Sequence, residues 1–413
     1  MHTKPFIISK HLVYQAWKNV KANAGSHGID QVSIKEYESN VSNNLYKLWN
    51  KMSSGSYFPK PVRQVIIPKK QGGERALSIP TVEDRVAQTV VKLTIEPQID
   101  ALFYEDSYGY RPNKSAFDAL AVTRQRCWKW DWVLEYDIKG LFDNINHELL
   151  MKAVKLHVQE KWILLYIERW LKSPIQQAND NLIERIAGVP QGGVISPILA
   201  NLFLHYALDS WLTKKAPHVP WCRYSDDGII HCRTEEEGLY ILQQLKGRFK
   251  ECRIELHSEK TKLIYCKDDL RKGDYHNTSF EFLGYCFRSR SVKLGNRKFC
   301  GFNPAISITS RKAINAEIRS WKIIRRTSST IQDIARQIDP ILIGWWNYYG
   351  RYYNGEVKRV FSHVNRILVK WLMRKYKKLR GKRARATKKL IELAKGSSHL
   401  FKHWQLGVTG VFA

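Results

Sequence analysis

Several things are missing from this sequence, and each absence excludes a class of protein. No run of apolar residues approaches the roughly 18 that a membrane-spanning helix needs, so no such helix is expected. The first residues, Met1-His2-Thr3-Lys4-Pro5, lack the apolar core of a signal peptide. Cysteine is sparse, odd in number and irregularly spaced, at 127, 222, 232, 252, 266, 286 and 300, with no C-x-x-C pair. That pattern excludes a zinc module or a disulfide framework and fits reduced, mostly buried thiols in a cytoplasmic setting. Acidic residues are scarce in the last third: from Arg288 onward there are 29 Lys and Arg against 5 Asp and Glu. The full 413 residues carry a net charge of +30, so most of the excess lies there. Such a surplus calls for a polyanion, most simply nucleic acid. Trp and Tyr lie among these basic residues, which favours bases and sugars over a membrane surface.

The hydrophobic share of 44% is ordinary, and the length allows two or three domains with real cores. Helical spacing of Leu12, Val13, Ala16, Trp17 and Val20 predicts a helix over 9–24, followed by the loop Ala24-Gly25-Ser26-His27-Gly28 and a second helix over about 33–53. Residues 61–80 read as a β-hairpin with the basic turn Lys69 to Arg75. Thr81 caps a strong helix to about 103. Trp132 to Ile138 is a buried-type strand ending in Asp137. Helices are expected over 147–172, 195–213 and 234–252, with strands at 254–257, 263–266 and 280–287. Strands and helices mix without a βα repeat, which indicates an α+β fold to about residue 290. Beyond 310 the pattern is almost wholly helical. Between Lys370 and Lys389, 11 of 20 residues are basic and none is acidic.

The chemistry concentrates at Cys222-Arg223-Tyr224-Ser225-Asp226-Asp227-Gly228. Two apolar runs flank an Asp pair at the tip of a tight hairpin. Adjacent like charges repel and gain most from a divalent cation shared with a third carboxylate. Asp137, also preceded by an apolar strand, is the candidate for the third. Pro190-Gln191-Gly192-Gly193 lies between them, where paired glycines permit close approach to the backbone.

Together these segments resemble the group II intron reverse transcriptases, or maturases. The palm resemblance rests on Tyr-Asp-Ile-Lys-Gly-Leu-Phe-Asp-Asn (136–144), Pro-Gln-Gly-Gly-Val-Ile-Ser-Pro (190–197) and Tyr-Ser-Asp-Asp (224–227). Ile-Pro-Thr-Val-Glu-Asp-Arg-Val (79–86) and Asp-Ser-Tyr-Gly-Tyr-Arg-Pro (106–112) look like finger motifs, and 24–30 like the N-terminal extension. Phe-Glu-Phe-Leu-Gly-Tyr (280–285) resembles a primer grip and Gly-Trp-Trp-Asn-Tyr-Tyr (344–349) a thumb. The resemblance implies a right-hand polymerase fold: N-terminal extension and start of fingers (1–78), fingers and an antiparallel palm (79–290), a helical thumb or maturase domain (291–382), and a short basic nucleic-acid-binding segment (383–413).

It also implies RNA-directed DNA synthesis with two Mg²⁺ ions, Mn²⁺ being a possible substitute. Asp137, Asp226 and Asp227, with the Ile138 carbonyl, would hold the metal. Lys69, Arg75, Phe142, Gln191, Gly192 and Lys260 would bind the nucleotide, Phe142 rejecting a ribose 2′-hydroxyl. Arg63, Arg111, Lys370, Arg374, Lys375, Lys377, Lys378, Arg380, Lys382 and Arg383 are the nucleic-acid-binding candidates. The implied partners are the intron RNA, an RNA template with a DNA primer, target DNA and dNTPs, in the cytoplasm, as monomer or homodimer. Ser225 departs from the family's usual Ala, and the chain has no Cys after Cys300, so no HNH nuclease is expected. The competing readings are a splicing cofactor with an idle polymerase and a reverse transcriptase adapted to repair or phage defence.

Overall fold

The computed structural model describes residues 4–68 and 73–410. The chain divides into two compact units, Met1–Ile264 and Tyr265–Ala413.

In the first unit the organising element is the helix Val82–Asp100. Thr81 caps it by accepting from the Asp84 amide, and Glu83 and Asp84 suit the positive end of the helix dipole. Val82, Val86, Val90, Ile95 and Ile99 are fully buried, against the helices Lys10–Asn23, Val41–Ser54 and Ser196–Leu204. Arg85 of this helix donates to the Ser26 carbonyl at 2.7 Å, and Arg63 donates to the His27 carbonyl at 2.8 Å. These two bonds fasten the Gly-rich N-terminal loop to the body of the unit. They give Arg63 a structural use that its charge does not reveal.

Two sheets complete this unit. The first is built on the antiparallel hairpin β1 (Val62–Pro68) and β2 (Glu74–Ile79), extended by β4 (Ile175–Gln176), parallel to β1, and β5 (Leu182–Ile183). Arg75 pairs with Ile67 within the ladder, so it stands in the strand and not in the turn. Lys69 lies outside the described residues. The second sheet has the order β6-β7-β3-β8, from β3 (Trp132–Asp137), β6 (Trp221–Tyr224), β7 (Asp227–Cys232) and β8 (Lys262–Tyr265). Its three leading strands are antiparallel and buried, as their apolar runs require.

Some long helices expected from periodicity are broken. The stretch 33–53 becomes Ile34–Ser39 and Val41–Ser54, and 147–172 becomes His147–Lys155 and Lys161–Leu171. The stretch 195–213 contains a π-helical turn, His205–Asp209, between two α segments. Residues 254–257 form only a bridge, Ile138 to Leu256, and not a strand.

The second unit pairs a three-stranded sheet, β11-β10-β9, with helices. Its strands are β9 (Ser279–Phe282), β10 (Tyr285–Leu294) and β11 (Arg297–Ile306). The single strand expected over 280–287 is a hairpin, because Leu283 and Gly284 both adopt positive φ, 50° and 77°. Two successive left-handed residues make the turn whose twist suits a two-residue hairpin. The helices Ile308–Ser320, Ile331–Tyr349, Asn354–Lys375 and Arg383–Gly396 enclose an apolar core that includes Ile318, Ile338, Leu342, Phe361, Leu368 and Trp371. The expected basic segment from 383 is no loose tail. Leu390, Ala394, Phe401 and Trp404 are buried in that same core, and the buried Asn365 amide donates to the Val408 and Gly410 carbonyls, each at 2.9 Å. The dense aromatic block packs internally: Trp345 stacks on Trp321 at 5.5 Å, and the Tyr348 hydroxyl donates to the Leu283 carbonyl at 2.9 Å. Among the described residues no helix is long and apolar enough to cross a membrane.

Candidate active site

The ends of three neighbouring strands bring the carboxylates together. Asp137 is the last residue of β3 and lies directly opposite Asp227, the first residue of β7; Tyr224 and Asp227 close the two-residue turn Ser225-Asp226. Ser225 takes the positive φ of 61° at the first turn position, which costs a side-chain-bearing residue but reverses the chain tightly. The Asp227 carboxyl keeps a solvent-facing edge yet is crowded by protein. That loss of solvent, ahead of the negative charges of Asp226 and Asp137, pushes it up to about 7. Lys260 donates to Asp137 Oδ2 at 2.8 Å, and this bond holds its ammonium above the usual lysine range. Among the described residues no group of three or more His, Cys, Asp or Glu is arranged to hold a metal ion. In this structure the Lys260 ammonium balances part of the carboxylate charge.

Beneath the turn lies a residue whose role the motifs did not announce. Arg223, in β6, is fully buried and spends five hydrogen bonds: two on Asp209, at 2.8 and 2.6 Å, and one each on Asn201 Oδ1, Ser107 Oγ and the Ser225 carbonyl, at 2.9, 2.8 and 3.1 Å. The π-helical turn ends at Asp209, and such local insertions recur at functional sites. The Arg223–Asp209 pair is satisfied on every side, the condition under which a buried ion pair is tolerable. Through the Ser225 carbonyl it clamps the turn that carries Asp226. Sequence held one signal: an arginine in the middle of an otherwise apolar strand must find buried partners.

Gly109 backs the same turn. A Cβ there would lie 2.4 Å from the Ser225 amide nitrogen, so only glycine fits. The segment is bound to β6 by Tyr108 N to Arg223 O at 2.8 Å and Arg223 N to Asp106 O at 2.9 Å. Tyr110, next in the chain, brings its phenol near Asp226, Arg75 and Ser225; burial, then the Asp226 charge, raises its pKa. Tyr110 belongs to the site and was missed as a site residue.

The nucleotide candidates form a connected row. Arg75 Nε donates to Gln191 Oε1 at 2.7 Å, and Gln191 Nε2 donates to Asp143 at 3.0 and 2.9 Å. The Ser78 amide donates to the Gln191 carbonyl at 2.7 Å, which joins the hairpin to the loop. A Cβ on Gly192 would stand 2.8 Å from the Ser78 carbonyl oxygen, so this contact depends on glycine. Phe142 follows Gly140, which turns the chain at φ 56°, and is largely buried. Its carbonyl accepts from the Val189 amide at 2.6 Å.

Two expected nucleic-acid contacts change role. Arg111 commits all its donors to the protein: Asp100 side chain at 2.7 and 3.2 Å, Asp100 carbonyl at 3.1 Å, and the Tyr104 and Ser107 carbonyls at 2.7 and 2.9 Å. It is an internal anchor, with no donor left for a phosphate. In the second unit Lys375 donates to the Thr327 and Ser329 carbonyls at 3.0 and 2.6 Å, stitching a loop to its helix. Lys370, Arg374, Lys377, Lys378, Arg380, Lys382 and Arg383 are exposed.

Residues 67–287, more than half of the chain, match the family described as "Reverse transcriptase (RNA-dependent DNA polymerase)", and residues 311–390 match "Group II intron, maturase-specific domain". The sequence is 31% identical to the group II intron-encoded protein LtrA of Lactococcus lactis subsp. cremoris, over 87% of this chain and 72% of that one. It is 29% identical to Protein YkfC of Escherichia coli, over 65% of this chain and 78% of that one. The first of these matches covers the strands that carry the Asp pair, Asp137 and the Gln191 loop, and the second covers the helices that bear the basic surface. The chain therefore belongs to the group II intron reverse transcriptases: it is an RNA-directed DNA polymerase, joined to a maturase domain, that serves intron splicing and mobility.

Proposed function

We propose that Asp137, Asp226 and Asp227 are the catalytic carboxylates and that they bind Mg²⁺. The observation that carries this reading is the facing of Asp137 and Asp227 across the sheet, with Asp226 at the adjoining turn. Loss of solvent, and after it the negative charges of Asp226 and Asp137, raise Asp227, which marks a site short of positive charge. The three carboxylates are not gathered into a metal cluster in this structure, where Lys260 takes Asp137 Oδ2. As oxygen-only donors, they and the Ile138 carbonyl would suit a hard cation such as Mg²⁺. When bound, two such ions would activate a primer hydroxyl and stabilise the leaving pyrophosphate. Lys260, an ammonium beside Asp137, would move toward an incoming phosphate, and only once released from that carboxylate would it give a proton to pyrophosphate.

Arg75 and Gln191 would orient a dNTP, Lys69 would share its triphosphate, and Phe142 would exclude a ribose 2′-hydroxyl. Gly192 would leave room for the base pair. We assign fingers and palm to the residues up to about 290 and thumb and maturase functions beyond. The exposed basic residues between 370 and 383 would hold the phosphates of intron RNA and of primer–template, by charge more than by sequence. RNA template with DNA primer, and target DNA, are the remaining partners of this reading.

The test is dNTP incorporation on a primed RNA template with and without Mg²⁺. Asp226→Ala is expected to lower incorporation at least about 1000-fold, the scale of lost charge stabilisation in a transition state. Undiminished incorporation would remove Asp226 from catalysis.

A further inference from the structure

Arg223 and Arg111 spend every donor inside the protein. Arg185, in the same unit, does the opposite. It is only 9% exposed, and neither Nη1 nor Nη2 has a hydrogen-bond partner. It follows β5 and precedes the Gly188-Val189-Pro190-Gln191 loop, so the backbone holds it beside the nucleotide row. Its side chain borders two cavities. One, of about 220 Å³, is also lined by Ser78, Phe142 and Asp143. The other, of about 600 Å³, is also lined by His147 and Lys172.

The Asp143 charge acts on Arg185 from the platform side, but both Asp143 oxygens accept from Gln191 and neither bonds the guanidinium. Glu184 also lines both cavities and Glu148 the larger one, and neither Nη has either as a hydrogen-bond partner. Burial lowers the Arg185 guanidinium to about 10, so it stays charged at neutral pH. Burial, then the charges of Arg185 and Lys172, hold His147 below its usual range against the opposing effect of its bond to Gly188. Buried guanidinium Nη groups without hydrogen-bond partners are costly, and each such group calls for an explanation. A ligand that arrives later supplies one. Two free Nη groups in a planar fork match phosphate oxygens in a bidentate manner.

We propose that Arg185 is an anion seat that takes one phosphate group of the nucleic acid or nucleotide bound at the Phe142–Gln191 platform. This rests on the polymerase reading above. The phosphate has two sources: a phosphodiester of the template strand or the triphosphate of the incoming dNTP. Affinity for primed RNA, measured without dNTP or turnover over a salt series, separates them when set beside the KM for dNTP.

If the phosphodiester is bound, Arg185→Met weakens primed-RNA binding about tenfold and makes its salt dependence shallower by roughly one counterion. If the triphosphate is bound, the KM for dNTP rises about tenfold and primed-RNA affinity holds. Either result supports the seat, and Arg185→Lys, with charge but no fork, falls between wild type and Met. The ligand-free Arg185→Met protein should melt no lower than wild type, because an unpaired buried charge has been removed. Unchanged affinity and KM in a folded Arg185→Met protein would overturn the proposal. So would a large drop in its ligand-free melting temperature, or failure to fold, since either would show that the arginine serves the free structure. Wild-type protein that binds no primed RNA would overturn the polymerase reading as well, which keeps the two failures apart.

Discussion

The two units treat charge in opposite ways. In Met1–Ile264, charged side chains are taken inside: Asp84, Arg85, Arg185, Asp209 and Arg223 are all buried. In Tyr265–Ala413 the core is apolar and aromatic, Arg290 is the buried charge among the described residues, and the large basic excess is left in solvent. A buried charge such as Arg223 is held at one place by fixed partners, which is what positioning a reacting group needs. An exposed lysine is mobile and screened, which is what binding a long polyanion of any sequence needs. On the proposed function, chemistry and grip are separated in the fold as well as in the sequence.

That comparison can be broken or sharpened by experiment. The largest stability effect is expected where a buried charge is removed from its partners. Arg223→Met leaves Asp209 unpaired and frees the Ser225 carbonyl, and should cost roughly 3–5 kcal/mol of stability, with incorporation falling alongside. A denaturant melt followed with an assay on the folded fraction checks both.

The surface counterpart is smaller and of another kind. Replacing Lys377, Lys378 and Arg380 together by Ala should leave the melt within about 1 kcal/mol. RNA affinity at low salt should fall about tenfold or more, and the salt slope should become shallower by about two to three counterions. If the melt collapses instead, these residues belong to the structure and the contrast between the units fails.

The smallest effect compares one titrating group in each unit. Burial pushes His231 and His403 down to about 3. Both therefore stay neutral when folded and take up a proton more readily when unfolded, near 6.5. Their contribution is fully present above about pH 6.5 and is lost as pH falls toward 3. Between pH 7 and pH 6 the His403 contribution should fall by on the order of 1 kcal/mol or less, and His403→Gln should remove that part of the pH dependence. In the first unit the raised Asp227 acts in the opposite sense to His231. The same pH dependence in His403→Gln as in wild type would contradict the buried neutral state.

Much of the proposed catalytic centre lay in legible segments because strand-end carboxylates announce themselves: a buried apolar run that stops at Asp cannot hide the charge. The Arg75–Gln191–Asp143 row also lay within recognisable segments, though its bonds did not. Arg223 was harder. Its partners come from residues 107, 201, 209 and 225, and the π-helical turn that ends at Asp209 has no signature in a 3.6-residue pattern. Arginine also looks alike in every context. Arg111, fully used inside the protein, Arg185, with its Nη groups unpartnered, and Arg374, in solvent, differ only in what folding brings near them. The Leu283-Gly284 reversal was hidden because an apolar residue takes a conformation usually left to Gly or Asn.

The separation of chemistry from grip is tested most directly on a single protein, Asp137→Asn. Both single-turnover dNTP incorporation on primed RNA and the Kd for intron RNA would be measured on it. Incorporation lost by about 1000-fold or more, with RNA affinity unchanged within about twofold, is the predicted result. Incorporation that persists, or RNA affinity that falls in step with it, would contradict the account.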